Sequence, residues 1–441
     1  MNERYIAAIE VSSSKIAAAI GKTRGNGMLD IVAVEYEPTA EGGVRYGIIQ
    51  NLEETSTAVS RIFTRLEQRS SIHPRKIKSV IVGLGGRSLK NITKEVSLSL
   101  PEDTEITDDI LERLHDQAVH SAIDNTLEVV DAVPRVFQVG TSRTSSPKGM
   151  VGNHISGVFD LIVCRPELKR NIRRTIEDKL HLDVDGFVVT AMATGHLILS
   201  PEEKRLGCML VDMGSETTTV TIYQKGALHY FATLPLGGRN ISRDIASLGV
   251  VDAKAEEIKI TSGNALSETN VPNLNINGLK LSDISNLVVA RSEEIVANII
   301  AQIEYAGIKD SDLPGGIICI GGGFRMKGLL ELLEMESGIS VRRGTLPEYV
   351  RIEDPRANGV EIAEVASVLY AGATLTSKES LYTPERSAMP TNGVLPLDTE
   401  EEEEEKKSKT EPKPKNSFFE KMGKKIGSLF SSNEDDDTEL L

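Results

Sequence analysis

Two stretches of the chain share one hydrophobic and polar plan, and a third supports them. In residues 208–223 an apolar run from Cys208 to Val211 ends on Asp212, a short turn carries Gly214, and a second run from Thr218 to Tyr223 is rich in Thr, Val and Ile. This predicts two strands joined by a tight turn. Residues 6–20 repeat the plan: apolar Ile6 to Ile9, then Glu10, then Ser12, Ser13 and Ser14, then Ile16 to Ile20. Glu10 aligns with Asp212 and Ser12 with Gly214. A third run, Ile317 to Ile320, leads into Gly321, Gly322 and Gly323, and Met326 to Leu333 has the pattern of a helix. A repeated strand, acid, turn and strand predicts two related halves that face each other across a cleft.

The remaining pattern fills in these halves. Residues 1–82 and 167–200 form a first lobe, in which Val59, Ile62, Phe63 and Leu66 share one face of a helix over 55–70. Residues 83–166 interrupt it in the order strand, helix, strand, strand, with Thr107 as the helix cap before an acidic first turn. That is enough chain for a small domain. A helix from Pro166 reaches Leu180, a second over 191–199 links the lobes, and 201–207 is an exposed turn. Residues 201–380 form the second lobe, with a helical outer part from about 240 to 310. Its closing helix runs from Glu361 to Ala373, where Ala363, Ala366, Ala371 and Gly372 suit close packing.

Past Pro384 the pattern changes. Residues 384–415 contain Glu400 to Glu405 as an unbroken acidic run, then Pro412 and Pro414. Such a segment cannot bury enough apolar surface to fold and reads as a disordered linker. In residues 416–431 Phe419, Met422, Ile426, Leu429 and Phe430 share a broad helical face, with Phe418 at its edge and Lys421, Lys424 and Lys425 towards the other side. An in-plane membrane anchor accounts for this amphipathic helix, its lysines near anionic lipid headgroups. Docking on the body or on a protein partner is the alternative. Residues 432–441 are an acidic tail, which an anionic surface repels.

Composition narrows the function. A formal net charge of -15 argues against a nucleic-acid partner. Hydrophobic residues at 39% are few for a fully globular chain, in keeping with the linker. Cys164, Cys208 and Cys319 lie far apart, each in an apolar run, and read as buried thiols in a reducing cytosol. Glu10 and Lys15 interrupt the first apolar stretch too early for a signal peptide or a spanning helix.

The candidate chemistry starts from the two acids. A carboxylate at the end of a buried strand costs free energy unless something pairs it, and a hydrated metal ion beside a phosphate does so. Gly214 lets backbone N–H groups approach anionic oxygens, and Thr217 and Thr218 add hydroxyl donors. A single such hairpin fits an ordinary exposed turn equally well. Its repetition favours a site.

The three segments, in this order, resemble the actin-like ATPase superfamily. Residues 234–246 and 255–259 are similar to the segments that follow the second hairpin in its bacterial members. The insert, with pieces at 131–134, 147–152 and 161–164, resembles that of the FtsA family. The resemblance implies an α/β, two-lobed actin-like ATPase fold with an inserted α+β subdomain in the first lobe and a C-terminal amphipathic helix. It implies ATP held by Ser12, Ser13, Ser14, Lys15, Gly214, Ser215, Glu216, Thr217, Thr218, Gly237, Gly238, Gly321, Gly322, Gly323 and Phe324, with Lys15 on the phosphates. Glu256 and Lys259 would lie beside the nucleoside; a solvated helical pair is the alternative for these two. Mg²⁺ would be held by Asp212 and Glu10, which would position the attacking water. Ser12 and Ser215 stand where glycine is common, Glu216 replaces a second glycine, and Thr219 stands where many relatives have an acid. Glu216 is expected to bring negative charge to the phosphates, which would weaken binding or slow turnover unless a metal or lysine offsets it, and Lys15 is the residue placed to do so.

The implied function is cell division. The chain would polymerise on the cytoplasmic face of the inner membrane at the septum and anchor FtsZ filaments there. It would take the FtsZ C-terminal peptide on its outer second-lobe subdomain and recruit later division proteins. A PilM-like ATP-binding scaffold for pilus assembly is the second reading. A sugar kinase or a chaperone of the same superfamily is the third; no sugar-kinase base is recognised, and a linker stands where a chaperone has its substrate domain.

Overall fold

The computed structural model describes residues 3–24, 27–266 and 273–384. The expected linker beyond Pro384, the membrane-targeting helix 416–431 and the tail 432–441 lie outside them.

The first hairpin is the centre of a six-stranded sheet. Ile6 to Ile9 and Ile16 to Ile20 are almost wholly buried, as in strands covered on both faces. Strand Arg4–Val11 pairs antiparallel with Lys15–Thr23, Val11 opposite Ile16, and parallel with Ser79–Leu84. Asp183–Val189 lies outside Ser79–Leu84, and Leu29–Pro38 outside Lys15–Thr23. Helix Leu52–Glu67 packs on this sheet through Val59, Ile62 and Leu66, and Asn51 caps its first turn by accepting from the Glu53 and Glu54 amides. In the second lobe Cys208–Met213 occupies the same central place. It pairs antiparallel with Thr218–Gln224 and parallel with Ile317–Ile320, between edge strands Ala227–Leu234 and Val341–Arg343. The long helix Leu281–Tyr305 buries Val288, Ile295 and Ile299 in that lobe's core.

The insert is a four-stranded sheet in the order Ser142–Thr144, Glu128–Val139, Val151–Cys164, Lys90–Glu105, with helix Asp108–Val119 laid on it. It has its own core, in which Phe159 meets Phe137 edge-on at 5.9 Å and packs with Leu114 and Leu161.

Three details differ from the sequence pattern. The chain leaves the second lobe near Gly344, well before residue 380. Strand Val350–Ile352 joins the first-lobe sheet beside Leu29–Pro38, helix Ala363–Leu375 packs on that sheet, and Leu381–Tyr382 pairs with Lys76–Ile77. The small residues of this helix do serve close packing, but against the first lobe: a Cβ on Gly372 would lie 2.6 Å from Ile81. Residues Pro201–Leu206 are a short helix, not a turn. Ser200 accepts from the Glu203 amide at 3.1 Å while Glu203 accepts from the Ser200 amide at 2.8 Å. After Ile317–Ile320 a 3₁₀ turn, Gly322–Arg325, intervenes, so the next helix begins only at Leu329.

Candidate functional site

The two hairpins form facing walls of one cleft of about 910 Å³ between the lobes. Their turns are built alike. Ser12 N–H donates to the Lys15 carbonyl at 3.0 Å, and Gly214 N–H donates to the Thr217 carbonyl at 2.8 Å. Each first strand lies parallel to a neighbour that runs into glycines. Glu10 sits beside Gly83, ahead of Gly85 and Gly86; Asp212 sits beside Ile320, ahead of Gly321 to Gly323. Both acids thus reach the cleft at the carboxyl edge of a sheet, where open α/β sheets take ligands. Glu10 and Ser12 to Lys15 line one wall. Asp212, Gly214 to Thr217, Gly238, Glu256, Lys259, Gly322 and Gly323 line the rest.

Four residues singled out in the sequence lie elsewhere. Thr218 is fully buried and donates its hydroxyl to the Leu236 carbonyl at 2.8 Å. Strand alternation turns Thr217 and Thr219 to the cleft instead. Phe324 is fully buried in the second-lobe core. Gly237 packs beneath the second turn, where Gly238 N–H donates to the Gly214 carbonyl at 3.0 Å and Arg239 N–H to the Ser215 carbonyl at 2.8 Å. Gly321, with φ +90°, passes so near the second strand that a Cβ would lie 2.6 Å from Asp212 Oδ1. Its lack of a side chain lets the sheet turn behind the acid.

Glu364, in the first turn of the closing helix, brings another carboxylate to this floor, and its charge acts on both acids. Burial, and then the Glu364 charge, push Glu10 and Asp212 each up to about 8 against the pull of Lys15; Asp212 adds to the rise of Glu10. Lys15 Nζ also donates to the Glu361 carbonyl at 2.8 Å. The described residues contain no group of three or more His, Cys, Asp or Glu that could hold a metal ion by themselves. Mg²⁺ needs no such cage, since it takes one or two carboxylates and completes its shell with waters and phosphate oxygens. Two acids held above their ordinary range by burial and by like charge have the chemistry of a site that calls for a cation.

The raised values set a pH dependence. In the unfolded chain both groups lose their protons near pH 4; in the folded chain they keep them towards pH 8. Folded chain therefore binds more protons between these limits, and this contribution to stability is lost as pH rises from about 4 to 8. Glu37 shifts the opposite way, held below the ordinary range by its hydrogen bond to Arg61. Urea denaturation without divalent cations should show stability falling between pH 5.5 and 8, with Asp212→Asn flattening the slope. A slope unchanged by that substitution would contradict the assignment.

Glu216 does not face the cleft with a free charge. Only 2% exposed, it forms an ion pair with Arg45 Nε at 3.2 Å and accepts from Arg239 Nη1 at 3.1 Å, Arg243 Nη2 at 3.5 Å and the Tyr46 amide at 2.8 Å. Arg239 Nη2 also donates to the Ser13 carbonyl at 3.0 Å. Arg45, Tyr46 and Ser13 belong to the first lobe, and Glu216, Arg239 and Arg243 to the second, so the cluster ties the lobes together. The offset to Glu216 is thus three guanidiniums rather than Lys15. Tyr46 holds its place at φ +50°, a region an aromatic residue seldom adopts.

Farther along the cleft, Lys259 is not a solvated partner. Its ammonium donates to Glu256 at 2.7 Å and to the Gly238 carbonyl at 3.1 Å, Ser242 also donates to Glu256, and burial pushes the lysine pKa down against the pull of Glu256. The site residues not read from the sequence are Arg45, Arg239, Arg243 and Glu364. Arg239 and Arg243, one helical turn apart just after Gly237 and Gly238, carried a signal of spacing. Arg45 carried none.

Comparison with known proteins now bears on identity. Residues 209–369 match the family model described as "Cell division protein FtsA", and residues 86–163 match that of the "SHS2 domain inserted in FTSA". Cell division protein FtsA of Pseudomonas aeruginosa is 25% identical over 405 residues, covering 88% of this chain and 95% of that protein. Its counterpart in Bacillus subtilis is 27% identical over 380 residues, covering 83% and 84%. Among solved structures, a PilM-PilN type IV pilus biogenesis complex shares the fold with a TM-score of 0.59 at 16% identity, over 83% of this chain and 98% of that one. With its insert and its second lobe matched in order, over more than half of the 441 residues together, this two-lobed actin-like chain belongs to the FtsA family of cell division proteins.

Proposed function

We propose that the chain binds ATP with Mg²⁺ between its lobes, polymerises on the cytoplasmic face of the inner membrane at the septum, and anchors FtsZ filaments there. The observation that carries the nucleotide reading is the pair of matching turns whose buried acids, Glu10 and Asp212, meet one cleft. Ser12 to Lys15 would contact the phosphates from one side and Gly214, Ser215 and Thr217 from the other. Glu256 and Lys259, the lysine also bonded to the Gly238 carbonyl, would border the nucleoside. Asp212 and Glu10 would hold Mg²⁺, which would neutralise phosphate charge. No His or Cys lines the cleft among the described residues, and burial raises Cys164 and Cys208 each to about 12, leaving them as inert thiols. In this reading any hydrolysis uses a water positioned by Asp212 and Glu10, and the nucleotide serves as a conformational and assembly ligand with slow turnover. Phosphate release on vesicles should stay below about 1 per second; turnover in the ordinary enzyme range would refute this.

No helix among the described residues is long and apolar enough to cross a membrane. The amphipathic pattern of residues 416–431 supports peripheral attachment to anionic lipids. Family membership supports FtsZ as the partner, through its C-terminal peptide on the outer second-lobe subdomain, and self-association and recruitment of later division proteins as the output. A labelled FtsZ C-terminal peptide should gain fluorescence anisotropy on titration with the chain. An unchanged signal at protein concentrations on the order of 100 μM would sink the FtsZ assignment. The alternative, a PilM-like pilus scaffold, is favoured only by the shared fold, and the match of the insert to the FtsA-type domain weighs against it.

A further inference from the structure

A second cavity collects positive charge. It lies where the insert joins the first lobe, measures about 450 Å³, and is walled by Arg45, Arg87, Lys90 and Arg165 with Tyr46 and Ser88. No carboxylate among the described residues lines it, in a chain whose formal net charge is -15. Arg45 and Arg87 both place their guanidiniums against the Tyr46 ring, at 5.8 and 5.5 Å. Two like charges on one ring repel each other, and an anion between them relieves that repulsion. Asp124, which feels the Lys90 charge, is itself engaged by the amide and hydroxyl of Thr126, each at 2.8 Å.

A second, independent sign is Ser88. It is nine-tenths buried, and its hydroxyl has no hydrogen-bond partner among the described residues. Buried polar groups are rarely left this way; the Ser88 oxygen is shielded from solvent, and a rotation of its side chain towards the pocket would give it an oxyanion there as acceptor. Guanidinium forks suit the planar pairs of oxygens that phosphate groups present. Ile48 and Leu127 add an apolar wall, leaving room for a small organic body beside the charge.

We propose that this pocket binds a compact phosphate-class anion, free or esterified, through Arg87, Arg165, Lys90 and Ser88. The site is separate from the interlobe cleft but touches it through Arg45, which borders both cavities and holds Glu216. An anion in the pocket competes with Glu216 for that guanidinium.

The test is ³¹P line broadening of inorganic phosphate and of glycerol 3-phosphate by the full chain, with the interlobe cleft empty and with it saturated by ATP. The comparison protein carries Arg87→Gln and Arg165→Gln, neither of which lines the cleft. The wild-type chain should broaden at least one of the two lines, and the double variant should bind at least about tenfold more weakly. Broadening of the phosphate line assigns the free ion; broadening of the ester line alone assigns an esterified ligand. Equal broadening by both proteins, complete displacement by ATP in both, or no broadening at on the order of 10 mM anion overturns the proposal. Unchanged circular dichroism and ATP affinity of the variant exclude misfolding as the cause of a loss, and the single variants serve if the double one fails to fold.

Discussion

Arg239→Ala should lower the stability of the chain by about 3 kcal/mol, and adding Glu216→Gln should return part of that loss. The reason is the asymmetry of buried charge. Glu216 is 2% exposed and depends on three guanidiniums and one amide for its solvation. Removing one partner of a buried pair costs about 3–5 kcal/mol, chiefly because the remaining charge is stranded. Arg45 and Arg243 stay in place here, which argues for the lower end. Arg239 also ties the second lobe to the first turn through the Ser13 carbonyl at 3.0 Å, so its loss should loosen the lobes as well as the cluster. Neutralising Glu216 removes the stranded charge, and the coupling between the two changes should fall in the range of roughly 0.5–3 kcal/mol. Urea denaturation of the wild type, both single variants and the double variant gives the cycle. Strictly additive changes would mean that the carboxylate and guanidinium do not interact in solution.

Asp212→Asn should move stability and nucleotide affinity in opposite directions. Without a cation, the carboxylate is held at the cleft floor against burial and the charge of Glu364. An amide of the same shape removes that repulsion, so the nucleotide-free variant should be more stable than the wild type at pH 8. The same change removes a ligand proposed for Mg²⁺. Loss of even an outer partner of a metal site costs about 10–100-fold in affinity, and Mg²⁺-dependent ATP affinity should fall at least that far. Thermal denaturation of the free protein and a titration with Mg²⁺ and ATP read the two effects separately. A variant that lost stability and bound ATP normally would show Asp212 to be a structural residue.

The hairpins could be read from the sequence because each strand's burial leaves an apolar run, and each acid breaks that run at its end. The insert could be read because its strands alternate and its helix opens on the acidic turn Asp108 and Asp109, although the Thr107 side chain makes no capping bond. Side-chain direction near the second turn was harder. Thr217 and Thr218 are chemically alike, and only the two-residue period of the strand sends Thr217 and Thr219 to the cleft while Thr218 bonds the Leu236 carbonyl. Phe324 follows three glycines, yet burial in the second-lobe core claims its ring. The role of Glu216 depends on Arg45, 171 positions away in the chain and brought near only by the docking of the lobes. Local pattern carries no trace of such a contact. The return of Val350–Ile352 to the first sheet is similar: three residues hold too little periodicity to declare which lobe they join.

The most direct test of the proposed function is sedimentation of anionic vesicles with FtsZ, using the full chain and a form ending before Asn416, each with and without ATP. The account predicts that the full chain carries FtsZ into the pellet, more so with ATP, and that the shortened form leaves it in solution. FtsZ remaining in solution with both forms, or pelleting equally with both, would contradict attachment through the terminal segment and with it the membrane tether.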